Sequence, residues 1–188
     1  MTEAARVLFV APSAYPLGGV QSWLDYLLPG LRSRGWDSVL GLVSGRFHDV
    51  ERYLTVHPGH KHVVVENPTG SREGRIRSLM KTIRDVKPAV LVSVNICDCY
   101  AAVERMRGSG LTTPRVVMAD HSLDADYLLD ARIWRHVLDG FVATNRLTER
   151  LAREYSGLQE ERICYAPYGV SPTAPAVVRQ PEEQGHLR

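Results

Sequence analysis

At 188 residues, 44% hydrophobic and 23% charged, the chain is long enough for one domain with a real core and too ordinary in composition for disorder, collagen or coiled coil. Its 23 Lys and Arg against 21 Asp and Glu leave a formal net charge of +2 with no basic segment, which argues against a nucleic-acid partner. No apolar run reaches the roughly 18 residues of a membrane span, and the short run at Val7 to Pro12 lacks the features of a signal peptide, so the expected location is cytoplasmic, with peripheral membrane contact left open.

In chain order, the apolar, β-branched run Arg6 to Ala11 opens the series and predicts a strand. Val20, Trp23, Leu24, Leu27, Leu28 and Leu31 then fall at steps of three and four, along one face of a helix. Pro29 lacks an N–H and crowds the preceding turn, which predicts a kink or an end to the regular ladder near Leu28, and Gly35 closes the segment. Further strand-like runs are Ser38 to Val43, His62 to Val65, Ala89 to Val94, Arg115 to Ala119, Phe141 to Thr144 and, more weakly, Arg162 to Ala166. Helical periodicity returns at Ile76, Leu79, Met80, Ile83 and Val86 ahead of Pro88, and at Leu147, Leu151 and Tyr155 ahead of Gly157. This alternation predicts an α/β fold: a doubly wound, Rossmann-like parallel sheet of about seven strands with helices on both faces. Cys97, Cys99 and Cys164 are odd in number and lack C-x-x-C spacing, so they read as reduced thiols. The domain spans 1–170, and the stretch 171–188, with Pro172, Pro175 and Pro181, reads as a linker.

In open α/β sheets, ligands bind beyond the carboxyl ends of the strands, so the residues after each apolar run are the ones to weigh. After the first come Gly18 and Gly19, which let a backbone approach a ligand closely, then a helix whose first N–H groups and positive dipole end suit a phosphate or diphosphate. The same glycines also fit a long connection that merely has to turn. After the fifth run stands His121, whose imidazole can hydrogen-bond a sugar hydroxyl or, if protonated, a phosphate; a lone histidine also fits a structural role. Asn95 and Asp98 follow the fourth run and either line the same crevice or cap the next helix. His57, His60 and His62 lie close together without a carboxylate or thiolate at ligand spacing and read as a solvated loop, while Asp124 and Asp126 read as the polar face of a helix; no metal site is expected.

Taken together, these residues resemble the amino-terminal domain of a glycosyltransferase of the GT-B fold, in the large retaining group called family 4. The likeness runs from Arg6 to about Pro172 and is most specific at Val7-Leu-Phe-Val-Ala-Pro12, Gly18-Gly-Val-Gln21 and Arg34-Gly-Trp36. Looser pieces are Lys87-Pro-Ala-Val-Leu-Val92, His121, Phe141-Val-Ala-Thr-Asn145 and the closing Arg162-Ile-Cys-Tyr-Ala-Pro-Tyr-Gly-Val170. Tyr168 stands where that group usually has asparagine, and Asn145 where it usually has serine.

The resemblance implies an enzyme that transfers a sugar from a nucleotide-diphosphate-sugar donor to an acceptor hydroxyl with retention of configuration. A carboxy-terminal partner domain, absent from this chain, would bind most of the donor, so the isolated domain is expected to be inactive. Gly18 and Gly19 would lie at the diphosphate or the acceptor, His121 would hydrogen-bond the transferred sugar, and Asn95 and Asp98 would meet acceptor hydroxyls. Neither a cofactor nor a metal is implied. A self-contained dinucleotide-binding module would show G-x-G-x-x-G and a hydrolase G-x-S-x-G, and the chain has neither. A stand-alone Rossmann-like nucleotide-binding or protein-interaction module is the alternative.

Overall fold

The computed structural model describes residues 4–169 apart from Tyr15 and Leu123; the expected linker, 171–188, lies outside the described residues. Strands β1 (Arg6–Pro12), β2 (Asp37–Val43), β3 (His62–Val65), β4 (Val90–Val94), β5 (Arg115–Asp120), β6 (Gly140–Ala143) and β7 (Ile163–Tyr165) alternate with helices α1 (Gly19–Arg32), α2 (Val50–Val56), α3 (Arg72–Val86), α4 (Asp98–Gly108), α5 (Ala125–Ile133) and α6 (Arg146–Tyr155). All neighbouring strands pair in parallel, in the order β3-β2-β1-β4-β5-β6-β7. The fold is therefore a doubly wound, Rossmann-like α/β sheet with helices on both faces.

Strand periodicity decides which residue enters which half of the core. Leu8 and Val10 of β1 join Val39, Leu91, Val116 and Phe141 on one face, where α3, α4, α5 and α6 pack through residues such as Leu79, Tyr100, Ala131 and Ala152. Val7, Phe9 and Ala11 point the other way, with Leu40 and Val92, and meet α1 through Leu24 and Leu28 and α2 through Tyr53. Strands buried on both faces read as unbroken apolar runs, which is why they stand out in the sequence. Each fully buried leucine contributes about 1.5–3 kcal/mol, so the two layers dominate stability. Over β4 to β6 the second face carries no helix among the described residues, and a groove of about 620 Å³ lies there, bordered by α1 and by Pro167 and Gly169.

The alternative that the α1 ladder would end near Leu28 is corrected: the helix runs on through Pro29 to Arg32. Pro29 is exposed, while Leu24 and Leu28 are fully buried. The Ser38 hydroxyl also donates to the Leu28 carbonyl at 2.9 Å. Packing on one side thus outweighs the single backbone bond that proline cannot make on the other. Gly35 does close the segment, at φ 85°. The three cysteines are unpaired. No helix among the described residues is long and apolar enough to cross a membrane.

Candidate functional site

Winding reverses at β1, which pairs with β2 on one side and with β4 on the other. The connections leaving β1 and β4 therefore diverge and open a crevice at their carboxyl ends. Gly18 and Gly19 follow β1, Asn95 follows β4, and His121 follows β5, the next strand along. Strand pairing thus aligns three of the segments singled out in the sequence along one crest.

At the crest, Gly18 is the extended N-cap of α1 (φ −150°, ψ 164°), with no side-chain cap and no acidic residue in the first turn. Helices α2, α3, α5 and α6 instead begin with Asp49, Ser71, Asp124 and Asn145, whose side chains accept backbone N–H bonds. The start of α1 therefore keeps N–H groups and the positive end of its dipole without side-chain neutralisation. Neither glycine adopts a positive φ, and the space a Gly19 Cβ would enter is open. Their value at this place is close backbone approach rather than an unusual turn.

Three buried polar atoms at the ends of β4 and β5 have no hydrogen-bond partner among the described residues: Asn95 Oδ1, Asp120 Oδ2 and His121 Nε2. Asn95 holds a left-handed backbone at φ 58°, a conformation that asparagine tolerates better than most residues. It does not cap α4, whose N-cap is Cys97. Asp120 accepts from the Ser122 backbone N–H (2.9 Å) and hydroxyl (3.3 Å) through Oδ1 alone, and burial raises its pKa above the usual carboxylate range. Buried groups left unsatisfied cost about 1–3 kcal/mol each, and the placement of three of them at neighbouring strand ends makes this crest the candidate site.

His121 sits between two aromatic rings. Trp23, one turn into α1, packs edge-on with ring centroids 4.3 Å apart, which ties the glycine-led helix directly to the histidine. On the other flank Nδ1 lies 2.6 Å from the Tyr168 hydroxyl. Burial pushes the His121 pKa down to about 4, so the ring is neutral at pH 7. Of the two states weighed from the sequence, only the neutral one operates near neutrality, and it suits a hydroxyl partner rather than a phosphate.

Asp98 does not line the crevice. It is buried at the start of α4, and its two oxygens meet Arg72 Nε at 2.8 Å and Arg75 Nε at 2.5 Å, which pins α4 to α3. Asn145 caps α6 through the Thr148 N–H at 2.8 Å, work a serine would also do. Asp124 caps α5 in the same way. The solvated-loop reading is corrected for His57 and His60: both are buried, and both meet Asp25 of α1, while His62 is exposed. Sequence reasoning passed over Asp120 and Trp23. An acidic residue ending an apolar run was the available signal for Asp120, whereas the Trp23–His121 contact had none.

A Rossmann-like α/β domain with a polar crest at its topological switch point is the class that fold and site define. More narrowly, the domain matches one half of a GT-B fold. A glycosyltransferase from Rickettsia africae ESF-5 superposes with a TM-score of 0.64 at 15% identity, over 95% of this chain and 47% of that one. A UDP-GlcNAc 2-epimerase from Neisseria meningitidis bound to UDP-GlcNAc superposes at 0.61, with 13% identity and coverage of 87% and 47%. MurG from Acinetobacter baumannii superposes at 0.58, with 10% identity and coverage of 89% and 47%. The chain spans about half the length of these proteins. No protein-family model and no curated protein matches its sequence.

Proposed function

We propose that the chain is the acceptor-side half of a GT-B glycosyltransferase that takes a sugar from a nucleotide-diphosphate-sugar to an acceptor hydroxyl with retention, in the manner of family 4, in the cytoplasm. The observation that carries this reading is the convergence of the uncapped α1 N-terminus, the orphaned Asn95 Oδ1 and the neutral His121 on one crest. A nucleotide sugar is supported by the company of the fold, since one neighbour is a UDP-GlcNAc 2-epimerase bound to UDP-GlcNAc.

Each residue then has a task. Backbone N–H groups at Gly19 and beyond approach the diphosphate or the acceptor and, at the diphosphate, stabilise the developing negative charge by hydrogen bonding, without a metal at the reacting centre. His121, uncharged, hydrogen-bonds a hydroxyl of the transferred sugar through Nε2 while Tyr168 holds Nδ1. Asn95 Oδ1 accepts from an acceptor hydroxyl. The second wall of the cleft comes from a partner domain, and without it donor and acceptor are not held in line, so the isolated domain is inactive.

The test is a panel of nucleotide sugars and candidate acceptors, with products read by mass spectrometry and anomeric configuration by NMR, on the chain alone and on a two-domain polypeptide that contains it. Transfer by the latter, lowered about 10²-fold or more by His121→Ala, supports the reading. A product epimerised at the sugar without transfer, or turnover indifferent to His121→Ala, overturns it.

A further inference from the structure

The loop between α2 and β3 carries His57 and His60, and α1 brings Asp25 between them. Asp25 Oδ2 lies 2.7 Å from His57 Nδ1, and Oδ1 lies 2.7 Å from His60 Nε2. One ligand atom from each of the three residues lies within 4.8 Å of the others. The imidazoles are 8% and 4% exposed and the carboxylate 38%, so the cluster is walled by protein behind and reached by solvent on the Asp25 side.

Proton counting identifies what this cluster is suited to hold. His57 Nε2 lies 2.6 Å from the Pro16 carbonyl oxygen, so both of its nitrogens face oxygens that only accept. A cation at Nδ1 does the work of one proton and leaves Nε2–H donating to the carbonyl, the backing that metal-ligating histidines ordinarily have. His60 Nδ1 has no partner among the described residues and is available for that ring's proton when Nε2 ligates.

We propose that Asp25, His57 and His60 form a site for a divalent transition cation of the zinc class, bound by His57 Nδ1, His60 Nε2 and the Asp25 carboxylate, with water at the fourth position. Two imidazoles and a carboxylate are a donor set that zinc accepts at about 2.0–2.2 Å, which puts tetrahedral ligands roughly 3.4 Å apart. The two carboxylate–imidazole spacings of 2.7 Å open to that value if the half-exposed carboxylate withdraws by less than about 1 Å, and the two ring nitrogens already lie within 4.8 Å of each other. Since the site joins α1, the α2–β3 loop and, through Pro16, the connection leading into Gly18, the cation would brace the glycine segment from behind. The inference does not rest on the transferase reading.

Protein stripped with a chelator is titrated with Zn²⁺ by calorimetry and with Co²⁺ by visible absorption, and histidine ¹⁵N spectra are recorded with and without Zn²⁺. The expected result is one equivalent bound, a thermal midpoint that rises with Zn²⁺, and ligation shifts at His57 Nδ1 and His60 Nε2 in the unsubstituted protein. Asp25→Asn and His60→Asn should each weaken binding by about 10²-fold, with His62→Asn, His136→Asn and His186→Asn without effect. Absence of saturable binding, ¹⁵N shifts at other histidines, or unchanged affinity in folded Asp25→Asn overturns the proposal. The ¹⁵N spectra decide the matter even where a substitution prevents folding.

Discussion

The Tyr168 hydroxyl lies 2.6 Å from His121 Nδ1 and so ties the chain beyond β7 to the crest of β5 across the intervening β6. One ring nitrogen is committed to the protein, and the other, Nε2, is buried and unmatched. That asymmetry makes His121 the residue most open to direct measurement.

Because burial lowers the His121 pKa from 6.5 to about 4, the unfolded chain binds more protons here than the folded one between those values. The histidine therefore leaves stability undiminished above pH 6.5 and lowers it progressively as pH falls towards 4. An NMR titration of the ring should show a midpoint near 4, and His121→Gln should flatten this part of the urea-midpoint profile. A midpoint near 6.5 would remove the neutral-imidazole argument.

Asp98 is a structural anchor rather than a substrate group. Asp98→Ala leaves Arg75 and Arg72 without their partner at the α3–α4 contact, and because both guanidiniums keep access to solvent it should destabilise the fold by about 1–2 kcal/mol, read as a drop in denaturant midpoint. A variant as stable as the parent would return Asp98 to the crevice.

Gly19 offers the reverse case. Open space surrounds its missing Cβ and its φ is not positive, so Gly19→Ala should change stability by less than about 1 kcal/mol. The same methyl group would stand where a ligand approaches the backbone. On the proposed function, affinity for a nucleotide sugar in a two-domain polypeptide containing this chain should fall while the melting temperature holds, and unchanged affinity would clear the glycines of any binding role.

Pro29 occupies an exposed position inside α1. Pro29→Ala restores the missing backbone donor and relieves the ring's crowding, which should raise stability by roughly 1–3 kcal/mol in thermal or urea unfolding. Loss of stability would mean that the proline ring itself supports the helix.

Strand positions were legible because a parallel strand buried on both faces has to be apolar throughout, and β1 covers the run Arg6 to Ala11 and extends it only by Pro12. Helix faces were legible where the 3.6-residue period was clean, as in α3, with Ile76, Leu79, Ile83 and Val86 all buried. The short α2 was not: its seven residues place only Tyr53 in the core, too little to set a period.

What the sequence by itself determined is the layered α/β fold, since hydrophobic periodicity is a local property that survives in the order of residues. Only the tertiary structure decided which polar residues meet. Asp98 faces Arg72 and Arg75 across 26 and 23 residues, Asp25 faces His57 and His60 across 32 and 35, and His121 faces Tyr168 across 47. A hydrogen bond needs only about 3 Å of separation in space and leaves no periodic mark along the chain, so strand order and helix crossing, rather than spacing, select its partners.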